Sequence, residues 1–271
     1  MNKKSAFTLI ELLLGVTIVG ILGALIISAV SSAREQALAA ESTNNIRQLT
    51  LANQAYASDR GHYVPYGTTS NNNIRWHSSR SKGDFDGQGG YLSDYLEGGQ
   101  VRYCPVLEEM PRDSSTLPFD AGAGGYGYND FYLGRPLPDQ VPPRQRGPQP
   151  KVPPRGNWIA NIPDPSRTVM FTSTAIARAG GIEETDLAAP FRSVTRSGLG
   201  VPMTPTVHFR FQGQALVAWA DGHVTMEIPN PDAPIKHNAY GDDNEANSIG
   251  WFGPIEWNGY WNPRYGNGVA Y

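Results

Sequence analysis

The sequence predicts an α+β protein. One long N-terminal α-helix, transmembrane in its front half and amphipathic in its back half, packs on an antiparallel β-sheet head with long loops. Three observations predict this. No proline interrupts the chain from Phe7 to about Ser58. Leu12 to Val30 is a run of 19 residues without a charge. Alternating, strand-like segments come late, between Thr168 and Ile228, divided by short turn signals.

The first half of the proline-free stretch is apolar all round. A membrane helix needs about 20 such residues. In the second half Leu38, Ser42, Ile46, Leu49, Ala52 and Tyr56 recur at three- and four-residue steps. That spacing lines one helical face, while Arg34, Glu35, Glu41, Arg47 and Gln48 occupy other positions. The pattern predicts one helix of about 52 residues, ended at Gly61-His62-Tyr63-Val64-Pro65. Its front half is bare and its back half faces a core. Gly15, Gly20 and Gly23 permit close approach of neighbouring helices.

The start of this helix carries the strongest signal. Lys3-Lys4-Ser5-Ala6 precedes Phe7-Thr8-Leu9-Ile10-Glu11. A carboxylate at the middle of a membrane helix costs about 2.5–3.5 kcal/mol. Leu or Val would avoid that cost, so Glu11 has a task. A plain anchor accounts for the length of the run but not for Glu11. A secretory signal peptide has a shorter core, about 7–15 residues, followed by a cleavage site. Here the apolar run is longer, and no Ala-x-Ala ends it cleanly. Two lysines before the run, against Arg34 soon after it, put the N-terminus in the cytoplasm.

A basic leader, a small residue and Phe-Thr-Leu-Ile-Glu together resemble the type IV prepilin signal, shared by pilins and by the pseudopilins of type II secretion. Ala6 stands where Gly is commonest. The resemblance implies a pilin fold and a defined fate. A prepilin peptidase cuts after Ala6, removing leader 1–6, and N-methylates Phe7. Residues 7–32 form the transmembrane and assembly helix, and 33–271 form a periplasmic or extracellular head. The protein waits in the inner membrane as a single-pass chain, among membrane lipid. An inner-membrane assembly platform then draws it into a pilus or pseudopilus with other pilin or pseudopilin subunits. The Glu11 carboxylate pairs with the N-terminal amine of a neighbouring subunit. Physics agrees, because two groups costly alone in lipid become tolerable as a pair.

Further stretches extend the likeness to a bacterial group of large pseudopilin-like proteins. They are Asn45-Ile46-Arg47-Gln48-Leu49, Arg102-Tyr103-Cys104-Pro105, Tyr126-Gly127-Tyr128-Asn129, Asp164-Pro165-Ser166-Arg167-Thr168 and Ala218-Trp219-Ala220-Asp221-Gly222-His223-Val224. That group carries a processing-associated domain named for a His, nine residues, then Asp-Gly. Here Phe211 occupies the His position, and the nearest upstream histidine is His208.

The rest of the chain is polar, with a mean hydropathy of −0.40 for the whole sequence. Its 30 Gly and 22 Pro imply long loops around one core. A net charge of −3 does not suggest a nucleic-acid partner. Cys104 is the sole cysteine, so no internal disulfide forms, and it reads as a small buried hydrophobe or, less often for a lone cysteine, an intermolecular bridge or reactive thiol. Tyr91–Leu96 suits a short helix, and Gly124–Asn129 a tight aromatic loop. Residues 135–155 hold eight prolines and five Arg or Lys against one Asp. That segment reads as a basic, exposed polyproline excursion or as a contact arm for a neighbouring subunit or an acidic partner.

Strands are expected at Thr168–Ser173, Thr206–Phe211, Ala215–Ala220 and His223–Ile228, the last three as a meander. Gln212-Gly213-Gln214 makes one turn. Asp221-Gly222 makes the other, as a type I′ turn. His208 and His223 read as polar edge residues near that hairpin. The tail, 229–271, is irregular and aromatic, a cover for the core or a surface for sugar or subunit contact.

No catalytic set emerges: there is no His pair at zinc spacing, no Gly-x-Ser-x-Gly and no phosphate loop. A non-enzymatic filament subunit is expected, with a minor tip subunit or adhesin as the alternative. Asp84 and Asp86 share one Gly-rich loop, and Asp242, Asp243 and Glu245 share another with Asn244 and Asn247. Such loops suit calcium, which takes six to eight oxygens, or are simply solvated.

Overall fold

The computed structural model describes residues 8–68, 72–81, 83–110, 119–137, 154–178, 181–195, 198–233, 241 and 243–265. The chain divides into two compact units, Met1–Ala40 and Glu41–Tyr271.

Helix α1 runs unbroken from Leu9 to Arg60, 52 residues. It stops at Gly61, whose φ of 76° lies where glycine sits without strain. The Gly61 N–H closes the last turn on the Ala57 carbonyl at 2.8 Å. In the second unit, the helix buries Ser42, Asn45, Ile46, Leu49, Thr50, Ala52, Asn53, Tyr56 and Ala57. Of the expected stripe, Ser42, Ile46, Leu49, Ala52 and Tyr56 are buried and Leu38 is half-buried, while Asn45, Thr50, Asn53 and Ala57 widen it. Asn45 donates to the Tyr103 carbonyl at 3.1 Å, and Asn53 accepts from the Val64 N–H at 3.0 Å. Both use the helix flank to satisfy loop backbone that would otherwise be buried unpaired.

After α1 come the hairpin β1 (Ser78–Ser81) with β2 (Asp84–Gly89) and a short helix α2 (Pro105–Glu108). Next are β3 (Tyr126–Tyr128), β4 (Val169–Ser173), the pair β5 (Ile176–Arg178) and β6 (Gly181–Glu183), and the pair β7 (Arg192–Thr195) and β8 (Gly198–Pro202). The chain closes with β9 (Val207–His208), β10 (Ala215–Trp219), β11 (Val224–Glu227) and β12 (Ile249–Gly250). The main sheet is antiparallel with order β11-β10-β4-β3. The α+β class, with its long helix followed by antiparallel sheets, is therefore present.

Several local expectations are corrected. Gly124–Asn129 is not merely a loop, because Tyr126–Tyr128 forms the strand β3 paired with β4. Its glycine makes room: a Cβ at Gly127 would lie 2.5 Å from Thr174 Cγ2. Asp84 and Asp86 lie on strand β2 instead of in a loop. The expected helix at Tyr91–Leu96 is a single 3-10 turn, Ser93–Tyr95. The meander is shorter than expected. β9 covers only Val207–His208 and pairs with β12, so β10 is flanked by β4 and β11. The Asp221-Gly222 turn is not type I′, which needs positive φ at both residues. Only Gly222 has it, at 103°. The Gly222 N–H bonds the Trp219 carbonyl at 2.9 Å, and the Trp219 N–H bonds the His223 carbonyl at 3.0 Å. This is the longer hairpin, a turn followed by one left-handed glycine.

β4 and β10 are buried along their whole length. Trp251, Phe252 and Trp261, from the C-terminal tail, join Val169, Val217 and Trp219 in one apolar cluster. The tail thus supplies core, with little regular structure beyond β12. From β3, the Tyr126 hydroxyl donates to the Ser42 carbonyl at 3.2 Å and the Tyr128 hydroxyl to the Val64 carbonyl at 3.0 Å. Cys104 is fully buried, its sulfur 3.5 Å from the Ser42 hydroxyl.

Candidate functional site

Ala6 and Phe7 lie outside the described residues. The site begins at Thr8, the residue before the first helical turn. The Glu11 carboxylate accepts the Thr8 N–H at 2.9 Å and the Thr8 hydroxyl at 2.8 Å. The Thr8 hydroxyl in turn accepts the Glu11 N–H at 3.3 Å. Thr8-Leu9-Ile10-Glu11 is therefore a reciprocal capping box. It satisfies amide donors that every helix start leaves open. None of the ion pairs among the described residues includes Glu11.

Beyond Glu11 the helix is apolar and uncovered. Leu12 is 63% exposed and Ile27 73%. Its most apolar 18-residue window has a mean hydropathy of 2.6, long and apolar enough to cross a membrane. The hydroxyls in this stretch bond inward: Thr17 donates to the Leu13 carbonyl at 2.8 Å and Ser28 to the Leu25 carbonyl at 2.9 Å. A hydroxyl bonded back to its own helix is less costly to place in an apolar medium.

The head contains a charged cluster that sequence reasoning missed. Asp186, fully buried, accepts from Arg75 at 2.6 Å, from His77 Nε2 at 3.0 Å and from the Tyr66 hydroxyl at 2.7 Å. Asp120 also pairs with Arg75 and accepts from the Thr185 hydroxyl at 2.9 Å. The Arg75 guanidinium lies over Phe85 and Phe119, 4.7 and 5.2 Å from the ring centres. Burial pushes the Asp186 carboxyl up, but the His77 hydrogen bond and the Arg75 charge prevail and hold it below its ordinary range. Burial, and then the charge of Asp186, push the Asp120 carboxyl up. Partners 45 to 120 residues apart leave no local pattern to read. The cluster's inward-facing bonds tie distant loops together and suit a structural pin.

The two histidines singled out from sequence part company. His223 is exposed, stacked on Trp219 with ring centres 5.5 Å apart, and bonded to Asp221 at 2.6 Å. His208, in β9, is fully buried instead of solvated. Burial and the nearby Arg210 charge push its pKa down to about 2, against a weaker opposing effect of the Asn247 backbone. Gln54 of α1 donates to the Ala220 carbonyl at 2.9 Å, which fastens the Asp-Gly turn to the helix.

Of the carboxylates considered for calcium, Asp242 lies outside the described residues. Asp243 and Glu245 are exposed. The Asp243 carboxylate accepts the Ala246 N–H at 3.1 Å, and the Glu245 carbonyl accepts the Ser248 N–H at 3.0 Å. Among the described residues, no three His, Cys, Asp or Glu side chains converge as a metal site. Residues 138–153 of the basic Pro-rich segment also lie outside the described residues, but Leu137, near its start, is buried in the core cluster.

Residues 1–27 match the prokaryotic N-terminal methylation motif. Residues 31–111 match a family described as a protein of unknown function, DUF1559. No curated protein and no solved structure matches the chain. The two matched segments follow closely on one another, so the chain joins a prepilin-type N-terminus to a segment similar to that family of unknown function.

Proposed function

We propose that this prepilin-like chain is a structural, non-enzymatic subunit of a type IV pilus-like or type II secretion pseudopilus filament. One observation carries the reading. The methylation motif opens a helix whose only charge between Leu9 and Ser32 is Glu11, and whose large apolar side chains there are uncovered.

Cleavage after Ala6 frees the Phe7 amine beside Thr8, the first residue of the capping box. In the waiting subunit, Thr8 supplies two neutral donors to Glu11. A neighbour's ammonium is a charged donor, and charge-assisted bonds are roughly twice as strong as neutral ones. In lipid the exchange also removes two uncompensated charges at once. Assembly is thus favoured where the two groups meet and disfavoured in any other register. The chain is held as a single-pass inner-membrane protein, N-terminus cytoplasmic and head periplasmic, until a platform extracts it. Repeated head-to-tail contacts then build an open filament.

The test is coexpression with a prepilin peptidase and its assembly platform, followed by mass spectrometry of the membranes. A chain beginning at N-methylated Phe7 is expected. An intact Met1 start beside an active peptidase refutes the reading.

A further inference from the structure

Strand β11 is one edge of the main sheet. At the other edge, loop backbone closes β3: the Tyr128 N–H bonds the Asp186 carbonyl and the Ala188 N–H bonds the Tyr128 carbonyl, both at 2.9 Å. Among the described residues, no backbone bond closes the outer side of β11 in this way. The Trp219 N–H bonds the His223 carbonyl, so His223 directs its backbone toward β10. The register of β10 with β11 then runs without a shift from Ala218↔Val224 to Ala215↔Glu227. Thr225 and Glu227 therefore bond β10 as well, whereas Val224, Met226 and the following Ile228 turn N–H and C=O outward. The side chains divide in the same way. Trp219 Nε1 donates to the Thr225 hydroxyl at 2.9 Å, which donates to Glu227 at 2.7 Å, on the face of the apolar cluster. Val224, Met226 and Ile228 occupy the opposite face, with Met226 38% and Ile228 67% exposed.

Edge strands are normally guarded by Lys, Pro, a bulge or a covering loop. Val224 to Ile228 holds neither Lys nor Pro, and its pairing with β10 has no bulge. The segment is also complementary to itself. In an antiparallel pair centred on Met226, Val224 stands opposite the partner's Ile228, Met226 opposite the partner's Met226, and Thr225 opposite the partner's Glu227. The outward-facing residues of both copies then exchange backbone hydrogen bonds, apolar side chains meet apolar ones, and no carboxylate faces another. Centring the pair on Glu227 would oppose like charges and would bring together backbone groups already used by β10. We propose that β11 is an interaction surface for a second copy of this chain, whose β11 adds to the sheet in antiparallel fashion about a twofold axis at Met226. Such a contact closes on itself, so it joins copies that are not successive subunits of one filament. Its failure would leave the filament reading intact.

The experiment is disulfide trapping of the full chain in detergent micelles under mild oxidation, with wild type, whose Cys104 is buried, as the blank. Paired residues that exchange hydrogen bonds have Cα atoms about 5.5 Å apart, within disulfide reach. Met226→Cys should therefore give about tenfold more covalent dimer than Val224→Cys, whose own position in the partner lies far beyond that reach. Val224→Cys and Ile228→Cys chains should each stay monomeric alone and cross-link when mixed. Equal trapping by Met226→Cys and Val224→Cys would mean chance collision, and no trapping by either would mean that the edge stays unpaired; both results overturn the proposal. Should Met226→Cys not fold, the mixed pair reads the same contact without altering Met226. Failure of that pair to cross-link overturns the proposal too.

Discussion

The carboxylate of Glu11 closes back on Thr8, accepting both its N–H and its hydroxyl at 2.9 and 2.8 Å. The charge that looks costly in an apolar helix is therefore engaged within its own first turn. Thr8→Val removes the hydroxyl and leaves the backbone bond. Losing such a cap costs about 1 kcal/mol. Hydrogen exchange at the Glu11 amide in micelles should accelerate roughly fivefold, since 1 kcal/mol is about that factor. An unchanged rate would mean that the capping box does not hold the helix start.

The back half of α1 is set by burial instead of charge. Ile46 and Leu49 are 0% and 1% exposed, whereas Leu51, two residues on and facing away, is 53% exposed. Ile46→Ala or Leu49→Ala should destabilise the head by about 2–5 kcal/mol. Leu51→Ala should change it by less than about 0.5 kcal/mol. Urea unfolding of the full chain in detergent, followed by Trp fluorescence, separates the two outcomes.

Asp186 and Asp120 give the head a two-sided acid response. Asp186 is held below its ordinary value of 3.8, so the folded state takes up its proton less readily than the unfolded chain. Its stabilising contribution is full above that value and is lost as pH falls below it. Asp120 is raised above 3.8, so its protonation favours the folded state as pH falls through the raised value toward 3.8. Stability measured by urea midpoint should thus gain slightly on mild acidification and drop below pH 3.8. Asp120→Asn should remove the gain and leave the drop. Asp186→Asn should cost about 3–5 kcal/mol at neutral pH, because Arg75 loses its fully buried partner. A neutral-pH loss below about 1 kcal/mol in that variant, the range of an exposed pair, would contradict the role of the cluster as a pin.

The Asp-Gly hairpin offers a backbone test. Gly222 sits at φ 103°, and a Cβ there would lie 3.2 Å from Gln54 Nε2. Gly222→Val should destabilise by about 1–2 kcal/mol from the left-handed backbone alone. It should also displace Gln54 from the Ala220 carbonyl. Gln54→Ala should weaken the head by about 1 kcal/mol through the lost hydrogen bond. Urea midpoints of the two variants and their double should fall short of the sum, since both changes act on one contact.

Where local chemistry decides the outcome, the sequence is readable. The helix length follows from a proline-free run closed by Gly61, and β4, β10 and β11 follow from β-branched and aromatic runs divided by Asp-Gly. Glu11 stands out because its surroundings are apolar. Elsewhere tertiary pairing overrides the pattern. Thr206–Phe211 alternates like a full strand, yet Phe209 donates its N–H to the Ser248 carbonyl and only Val207–His208 remains strand. Gly127 breaks a strand pattern, but the close approach of Thr174 requires it. The Arg75–Asp186 pair joins residues 111 apart, a separation at which no spacing rule operates. The reciprocal bond between Thr8 and Glu11 is written in the sequence as a Thr-x-x-Glu pattern, overshadowed by the more conspicuous charge.

The most direct measurement images filaments sheared from cells that coexpress this chain, a prepilin peptidase and the assembly platform, with a label on the head. Wild type should appear along filaments and begin at N-methylated Phe7. Glu11→Val should be processed equally but be absent from them. Filaments carrying Glu11→Val at wild-type levels would contradict the assembly role of this carboxylate.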